Sequence, residues 1–480
     1  MKSSSLPLYR NALDWDKFYE RFPVPDIFAD TVYKWSPERI RALQNERFLE
    51  VMQIGWGNPF YQRLWKKAGI ERGDIRSLAD IEKLPTYNSD DLKNDQHEHA
   101  PFGLLPGYSS LREHLARTPT KLQTSGGTTG KPRITLHGIA EWEWNALGAA
   151  RGMYIQGLRP GDIMQIPATC SLANLGWAIY KGCHDYLGVL ALTTGSGIVT
   201  TSRRQIEIAF DVGVNCWMSF PEYLLRLAQA AKEEFGRDVR ELKTKLITSF
   251  LGPDTEGTLR AQLEALWGCP VFDNYGTNEV GEGAFECEHR KGLHFMEDAT
   301  FFEILDTESG KPVPQGKVGN LVATVFHRTL MPAIRFNLRD LARIVSTERC
   351  DCGSHFRRMD HFLGRSDNMV RLRGVNVYPM ACLPAVRSDS RTTGEWLCDA
   401  HTVDSSAGAR DEMIVHVEVR RDAAGTEGLK EKLEARLKSD LGVSVEVKLV
   451  EQGKLDTVAN LGEGKAKRLL ERRPAYLKKQ

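Results

Sequence analysis

The feature that most constrains the fold is the alternation of helical segments with short apolar runs between Ile134 and Gln229. The apolar runs are Ile163–Ile166, Val189–Leu192 and Cys216–Met218, each of a length suited to a buried strand. Helices separated by such strands predict α/β layers with mainly parallel sheets. Sheets of this kind bind ligands in the loops that follow the carboxyl ends of their strands.

Length, charge and cysteine content exclude several classes of protein. The 480 residues exceed one ordinary domain and can bury a large core. Lys+Arg of 64 against Asp+Glu of 63 leaves a net charge of +1, so the chain has no global field for nucleic acid or an anionic membrane. The N-terminal residues lack the apolar stretch of a signal peptide, and the sequence contains no apolar run of 18 residues. Nine cysteines, an odd number, do not suggest a disulfide framework. We therefore expect a cytoplasmic protein that binds neither nucleic acid nor a membrane.

One nonapeptide combines hydroxyl groups, glycines and a lysine in the way expected of a phosphate-binding loop. Glycines let the backbone turn tightly and bring its N–H groups close to an anion, while the hydroxyls add donors and the lysine adds a positive charge. The loop is not a Walker A motif, because its lysine is followed by proline. The nonapeptide reads Thr124-Ser125-Gly126-Gly127-Thr128-Thr129-Gly130-Lys131-Pro132.

This loop resembles the phosphate loop of the adenylate-forming enzymes, which include acyl-CoA synthetases, luciferases and the adenylation domains of peptide synthetases. Two phrases before it, residues 58–69 and 84–92, are similar to the opening of the phenylacetate-CoA ligase branch, with Ser89 in place of the usual lysine. The resemblance implies a large N-terminal domain of α/β layers and a small, mobile α+β lid at the C-terminus. It also implies that residues 124–131 bind the phosphates of ATP.

A second motif ends an apolar strand and offers an aromatic face, a hydroxyl and a carboxylate within five residues. These groups suit a nucleotide base, a phosphate and Mg²⁺, respectively. The motif resembles the family's "YGxTE", with Asn278 where threonine is common. By that resemblance Tyr275 stacks on adenine beside Gly276, Thr277 binds the α-phosphate and Glu279 holds the magnesium ion.

A third motif, residues 331–341, resembles "MPLIRYRTGDL". The resemblance implies that Asp340 accepts both ribose hydroxyls, which a carboxylate with several acceptor sites can do. The family's Arg-Thr-Gly is replaced here by residues 337–339, Asn-Leu-Arg. We therefore expect a locally different loop that still carries the aspartate.

The longest match is residues 363–379, which resemble the family's hinge motif "LGRxDDMIxxRGxNVxP". By this resemblance Arg365 contacts the nucleotide phosphate or ribose and Asp367 is the hinge. The prediction is an ATP- and acid-binding domain of residues 1–365 and a lid domain of residues 366–480.

The lid sequence has the pattern of a small α+β unit. Apolar residues alternate with polar ones in 415–419 and again in 443–449, and leucines recur every four residues in 429–441. Near the end, residues 463–468 resemble the family's terminal "EGKAxR". The resemblance makes Lys465 the adenylation lysine, and its position directly after Glu-Gly favours it over Lys467.

A separate group of residues has the chemistry of a zinc site. Three thiolates and one imidazole form a closed tetrahedral set for Zn²⁺, although buried free cysteines are also common in cytosolic proteins. A similar set occurs in some members of the phenylacetate-CoA ligase branch. A closed site would be structural, and His289 is an alternative imidazole. The candidate ligands are Cys287, His294, Cys350 and Cys352.

Together these resemblances imply an AMP-forming acid–thiol ligase that adenylates an aryl or arylacetic carboxylate with ATP and Mg²⁺ and transfers the acyl group to coenzyme A. Lys465, Glu279 and Thr277 would carry the adenylation chemistry, and the family also suggests a homodimer. One alternative is an adenylating enzyme whose acceptor is a carrier-protein thiol or an amine. The other is a catalytically silent ligand-binding relative, which would have no need to keep Lys131, Glu279, Asp340 and Lys465 together.

Overall fold

The computed structural model describes residue 6 and residues 8–107, 111–124, 133–254, 257–373, 375–405, 408–423, 425–456, 458–459 and 467–473. Its α-helices are α1 Trp15–Arg21, α2 Pro25–Asp30, α3 Pro37–Gly57, α4 Pro59–Lys67, α5 Ser89–Glu98, α6 Leu111–Arg117, α7 Ile139–Ile155, α8 Leu175–Lys181, α9 Ser202–Val212, α10 Pro221–Phe235, α11 Thr258–Trp267, α12 Leu383–Arg387 and α13 Leu429–Leu441.

The strands are β1 Tyr87–Asn88, β2 Lys121–Thr124, β3 Ile134–His137, β4 Ile163–Gln165, β5 Leu190–Leu192, β6 Cys216–Met218, β7 Leu246–Ser249, β8 Val271–Thr277, β9 Gly281–Glu286, β10 Leu293–Phe295, β11 Thr300–Leu305, β12 Gly319–Val325, β13 Phe336–Ala342, β14 Ile344–Ser346, β15 Arg358–Met359, β16 Val370–Leu372, β17 Val375–Val377, β18 Thr392–Ser405, β19 Gly408–Val419, β20 Glu446–Glu451 and β21 Leu469–Glu471. The three apolar runs between 163 and 218 therefore form the expected strands β4, β5 and β6.

The chain forms two compact units. The first comprises residues 1–195, 202–250 and 263–360, and the second comprises 196–201, 251–262 and 361–480. The division after Asp360 lies close to the hinge that the sequence predicts at Asp367, which stays a prediction. Each unit has its own sheets.

The first unit contains a nine-stranded sheet in the order β14-β15-β10-β9-β8-β7-β6-β4-β5. Strands β5, β4, β6, β7 and β8 pair in parallel. From β8 onward the sheet continues through antiparallel pairs to β9, β10, β15 and β14. The predicted α/β fold is confirmed, and β8 is the strand at which the parallel half of the sheet ends.

Helix α7 packs closely on strand β9 because small residues line the side of the helix that faces the strand. A Cβ atom at Gly148 would lie 3.2 Å from the Cβ of Glu282, and one at Gly152 would lie 3.3 Å from the Cβ of Phe285. Contacts this short leave little room for a methyl group, and overpacking of a core commonly costs about 1–3 kcal/mol. The two glycines therefore set the distance between α7 and the strand that follows the YGxTE-like motif.

A second sheet of the first unit, in the order β1-β13-β12-β11, carries the aspartate motif. Strands β11, β12 and β13 are antiparallel, and the register of β12 with β13 shifts between Asn320 and Val322. The shift leaves residues 338–340 of β13 without directly paired partners on β12, as in a β-bulge. Asp340 lies in this bulge.

The second unit contains a four-stranded sheet in the order β20-β19-β18-β21, with helix α13 packed against it. The four leucines of the predicted helix, Leu429, Leu433, Leu437 and Leu441, are all buried in the core of this unit. The alternating residues 415–419 lie in β19, as the sequence predicted. No helix in the described part of the chain combines the length and apolar character needed to span a bilayer.

Candidate active site

The YGxTE-like motif lies where the parallel half of the large sheet ends. Tyr275, Gly276 and Thr277 are the last residues of β8, and Glu279 lies in the turn that leads to β9. A Cβ atom at Gly276 would come within 2.7 Å of the carbonyl oxygen of Gly281, so only glycine lets the two strands pair this closely. The turn therefore holds a phenol, a hydroxyl and a carboxylate at the edge where α/β sheets bind ligands.

The aromatic residue of this motif contacts the aspartate of the 331–341 motif. The hydroxyl of Tyr275 donates a hydrogen bond of 2.6 Å to Oδ2 of Asp340, and both residues are buried. Residues that are 65 positions apart in sequence thus meet at one point. The structure brings together the residues that the sequence assigned to the base and to the ribose.

The bulge that carries Asp340 depends on an unusual backbone conformation at the residue before it. Arg339 has a φ of 59°, in the left-handed region that favours glycine. The family pattern has glycine at this position, and here the arginine adopts the glycine-like conformation. Its backbone N–H donates to Oδ1 of Asn337 at 2.9 Å, and its Nη1 binds Oδ2 of Asp90 at 2.6 Å. The expected change in loop sequence therefore leaves the aspartate on a bulged strand.

Glu279 forms an ion pair that the sequence analysis did not anticipate. Nη2 of Arg133 donates to Oε1 of Glu279, and the two side chains are only 6% and 11% exposed. Burial alone would raise the pKa of Glu279, but the guanidinium of Arg133, together with Arg328, outweighs burial and holds that pKa below its ordinary value. Glu279 is therefore an ionised, buried carboxylate, the kind of hard oxygen ligand that Mg²⁺ prefers.

Arg328 fixes the backbone of the same turn. Its Nη1 donates to the carbonyl oxygens of Asn278 at 2.8 Å and Glu279 at 3.2 Å, and its Nε donates to that of Met331 at 2.9 Å. Arg328 is 2% exposed, and Glu279 and Met331 are buried as well. Buried carbonyl groups need partners, and one guanidinium supplies them for the turn and for the start of the 331–341 motif.

The phosphate loop can be placed only by its ends. Residues 125–132 lie outside the described residues, whereas Thr124 ends β2 and Arg133 directly precedes β3. Nδ2 of Asn278 donates to the carbonyl oxygen of Thr124 at 3.2 Å, so the loop begins beside the turn that carries Glu279. Lys465 also lies outside the described residues.

Two residues of the hinge motif, Arg365 and Asp367, contact each other in the second unit. Nε and Nη2 of Arg365 each donate at 2.8 Å to the carboxylate of Asp367, one to each oxygen. A paired arrangement of this kind fixes the orientation of a guanidinium as well as its position. The proposed roles of Arg365 toward the nucleotide and of Asp367 as a hinge stay predictions.

The four candidate zinc ligands converge. Their ligand atoms all lie within 4.8 Å of one another, and the sulfurs of Cys287 and Cys350 are 3.8 Å apart. Nε2 of His294 is 3.7 Å from the sulfur of Cys352. Zinc–sulfur bonds of about 2.3 Å in a tetrahedron place two sulfurs about 3.8 Å apart, so the spacing fits this metal.

The contact between two of these thiols shifts their pKa values in opposite directions, raising the pKa of Cys287 well above its ordinary value and lowering that of Cys352. Hydrogen bonding to Cys287 is the main cause that lowers the pKa of Cys352, to about 3, with His294 contributing further. Thiolates are the form in which cysteines bind zinc. His294 and Cys287 are fully buried, so the set is closed from solvent on that side.

Comparison with known proteins identifies the family. A family model for the C-terminal domain of AMP-binding enzymes matches residues 374–473. A phenylacetate-coenzyme A ligase of Aromatoleum evansii is 30% identical over 93% of this chain and 97% of the relative. Another, from Thermus thermophilus, is 30% identical over 91% of this chain and 97% of that protein. The chain belongs to the phenylacetate-coenzyme A ligase family. The resemblance read from the sequence motifs is confirmed.

A solved structure supports the same assignment for the fold. The crystal structure of 2-hydroxyisobutyryl-CoA ligase in the postadenylation state, in complex with 2-HIB-AMP, matches with a TM-score of 0.79 at 26% identity. The match covers 92% of this chain and 91% of that chain. The phenylacetate-coenzyme A ligase family therefore shares its large N-terminal and small C-terminal domains with other adenylate-forming enzymes.

Two residues of the site lie outside the sequence motifs. Arg133 directly follows the phosphate loop, and this proximity in sequence was the available signal for it. Arg328 gives no such signal, because its role depends on the burial of carbonyl groups in a distant turn. Residues that complete a motif through the tertiary structure are invisible to a search for local patterns.

Proposed function

We propose that the chain is an ATP-dependent, AMP-forming ligase that joins an aromatic carboxylic acid to coenzyme A. The observation that carries the proposal is the contact between Tyr275 and Asp340 at the carboxyl end of the parallel strands, beside the ionised carboxylate of Glu279. Groups that can bind the base, the ribose and the metal therefore lie together at one edge of the sheet. Membership of the phenylacetate-coenzyme A ligase family supports the same activity.

In the first half-reaction an oxygen of the acid attacks the α-phosphorus of ATP, the bond to the β-phosphate breaks, and pyrophosphate leaves. Asp340 accepts the ribose hydroxyls, Tyr275 flanks the adenine, and the hydroxyl of Thr277 donates to the α-phosphate. Glu279 would hold the magnesium ion, which offsets charge on the phosphates when bound. Most of this catalysis is positioning and electrostatic stabilisation, as in other displacements at phosphorus.

In the second half-reaction the thiol of coenzyme A attacks the acyl carbonyl of the mixed anhydride and AMP leaves. We assign Lys465 to the first half-reaction, where its ammonium bridges the carboxylate and the α-phosphate. Rotation of the second unit about Asp367 would then withdraw that lysine before the thiol attacks. A hinge of a few residues suffices for such a rotation.

We assign the cluster of three cysteines and one histidine to a structural zinc ion. The sulfur–sulfur distance of 3.8 Å and the convergence of four ligands, three of them buried, support this assignment. With four protein ligands the ion would have no open position for substrate, so its contribution is to the stability of the first unit.

The preference for an aromatic acid has two supports. The curated relatives are phenylacetate-coenzyme A ligases at 30% identity. Three aromatic residues also follow strands of the parallel half and are our candidates for the acyl pocket: Trp177 and Tyr180 lie on α8, and Phe220 precedes α10. The ring of Phe220 lies 6.2 Å from that of Phe250, so two aromatic rings adjoin at this position.

The test is pyrophosphate release from MgATP with a panel of aryl, arylacetic, short hydroxylated and plain aliphatic acids, with and without coenzyme A. We expect release that requires an arylacetic or aryl acid and increases when coenzyme A is present. Lys465→Ala should abolish the release, while the matched Lys467→Ala should retain it.

Each other outcome has a distinct meaning. Release that does not respond to coenzyme A would favour a carrier-protein thiol or an amine as acceptor. Preference for a short hydroxylated acid would contradict the aromatic assignment but keep the ligase. No release with any acid, together with ATP binding, would contradict the ligase and favour the silent relative.

A further inference from the structure

One face of the hairpin formed by β2 and β3 carries four polar side chains, each with a buried atom that forms no hydrogen bond among the described residues. Lys121 pairs with His137 across the hairpin, and Gln123 pairs with Thr135, so all four side chains lie on the same face. The buried atoms Nζ of Lys121, Oε1 of Gln123, Oγ1 of Thr135 and Nε2 of His137 make no hydrogen bond with any described residue. Buried polar atoms nearly always form hydrogen bonds, so four unsatisfied polar atoms on one face indicate a ligand.

The hydrogen-bonding character of the face follows from its other contacts. Nδ2 of Asn145, which can only donate, lies 3.4 Å from Nδ1 of His137, so the proton of the neutral imidazole is on Nε2. Burial is the main cause that lowers the pKa of His137 well below its ordinary value, so the imidazole is neutral. Nε2 of Gln123 donates to Oδ1 of Asn174 at 2.7 Å, which leaves its Oε1 as an acceptor. The face thus offers donors from Lys121 and His137 and an acceptor from Gln123.

This face adjoins the candidate active site. Strand β2 ends at Thr124, whose carbonyl oxygen accepts from Asn278. A Cβ atom at Gly281 would lie 2.6 Å from Oδ1 of Asn145, and Gly281 is the strand partner of Thr277. The unsatisfied polar atoms therefore begin beside the turn that we propose binds the α-phosphate. They extend away from it by about 7 Å, the rise of two residues along a strand.

Two tryptophans lie at the end of the face that is farther from Thr124, next to Lys121. Nζ of Lys121 lies 3.6 Å from the ring centroid of Trp142 and 5.1 Å from that of Trp177, and both indoles are half-buried. Trp177 is also a candidate acyl-pocket residue. Burial is the main cause that lowers the pKa of Lys121 to about 7, and it outweighs the opposite effect of Cys170.

We propose that this face is the specificity wall of the acid pocket, and that the acid bears a hydroxyl group remote from the carboxylate that is activated. The hydroxyl oxygen accepts from Lys121 and His137, and its proton is donated to Oε1 of Gln123. A hydroxyl satisfies both kinds of group, whereas a carboxylate would face the Gln123 oxygen without a proton. The inference rests on the proposed ligase function and narrows its substrate class to hydroxylated acids.

The experiment compares kcat/KM for phenylacetate, 3-hydroxyphenylacetate, 4-hydroxyphenylacetate and their methoxy and ring-carboxylate analogues. Sites built to bind a substrate hydroxyl can reject the analogue that lacks it by about 10⁴-fold, so we expect at least about 100-fold preference for one hydroxylated acid. The methoxy analogue cannot donate to Gln123 and should lose most of that advantage. Lys121→Met and Gln123→Met should each reduce the hydroxyl preference by about tenfold or more, while the exposed control Lys67→Met should not change it.

Equal or better use of phenylacetate by the wild-type chain would overturn the inference, as would a preference that survives in both Lys121→Met and Gln123→Met. A preference for the ring carboxylate would also overturn the hydroxyl assignment. Binding of each acid is measured in parallel by the quenching of intrinsic tryptophan fluorescence, with circular dichroism to check that each variant is folded. Selective binding of a hydroxylated acid without pyrophosphate release would support this inference while the ligase function fails.

Discussion

Replacing Arg133 by methionine tests whether the buried ion pair with Glu279 organises the site. The side chains of the pair are 6% and 11% exposed, so the lost partner cannot be replaced by bulk water. Removing one member of a buried ion pair costs about 3–5 kcal/mol, because the remaining charge is left uncompensated. We expect a loss of this size in the free energy of unfolding at pH 7 in magnesium-free buffer.

The loss should depend on pH in a defined direction. In the wild-type chain the pKa of Glu279 is below its ordinary value, so the stabilisation is present above about pH 4.3 and is lost as the pH falls through the folded-state pKa. In the Arg133→Met variant burial is no longer opposed by this partner, and the pKa of Glu279 rises. The difference between the two chains should therefore be largest at pH 7–8 and shrink toward pH 4.

The assay is urea denaturation at pH 8, 6 and 4, with two companion variants. Arg240→Met removes a partner from the Arg240–Asp238 pair, whose side chains are 62% and 45% exposed, and should cost less than about 1 kcal/mol. The double variant Arg133→Met/Glu279→Gln removes both buried charges and should recover most of the stability without recovering activity. A loss below 1 kcal/mol for Arg133→Met, or a loss that does not change with pH, would refute this account of the site.

Two further predictions concern the zinc and the nucleotide. Metal analysis should find about one zinc per chain, and Cys352→Ser should remove it and lower the free energy of unfolding by at least about 3 kcal/mol. The control Cys269→Ser, which lies outside the cluster, should retain the metal. Zinc retained in Cys352→Ser would contradict the assignment. Tyr275→Phe removes the donor to Oδ2 of Asp340. A hydrogen bond to a charged group contributes about 1.5–3 kcal/mol. The KM for ATP should therefore rise about tenfold or more, with little change in kcat. An unchanged KM would show that the hydroxyl does not position the aspartate.

The sequence by itself determined the local elements and the family. Alternation of apolar residues predicted β19, and leucines every four residues predicted α13, because these patterns depend only on which side of an element is buried. The motifs around Tyr275 and Asp340 also identified the family, since short phrases keep their order along the chain. Each of these inferences used information that is local in sequence.

Only the tertiary structure decided how distant groups meet. It showed that β8 continues into antiparallel strands, because the partner of a strand is set by packing across the sheet and not by its own residues. It joined Arg133 to Glu279, and it placed Lys121 opposite His137, where Nζ of the one and Nε2 of the other form no hydrogen bond with a described residue. Burial changes the free energy that each of these charges and hydrogen bonds contributes, and burial is a property of the whole fold.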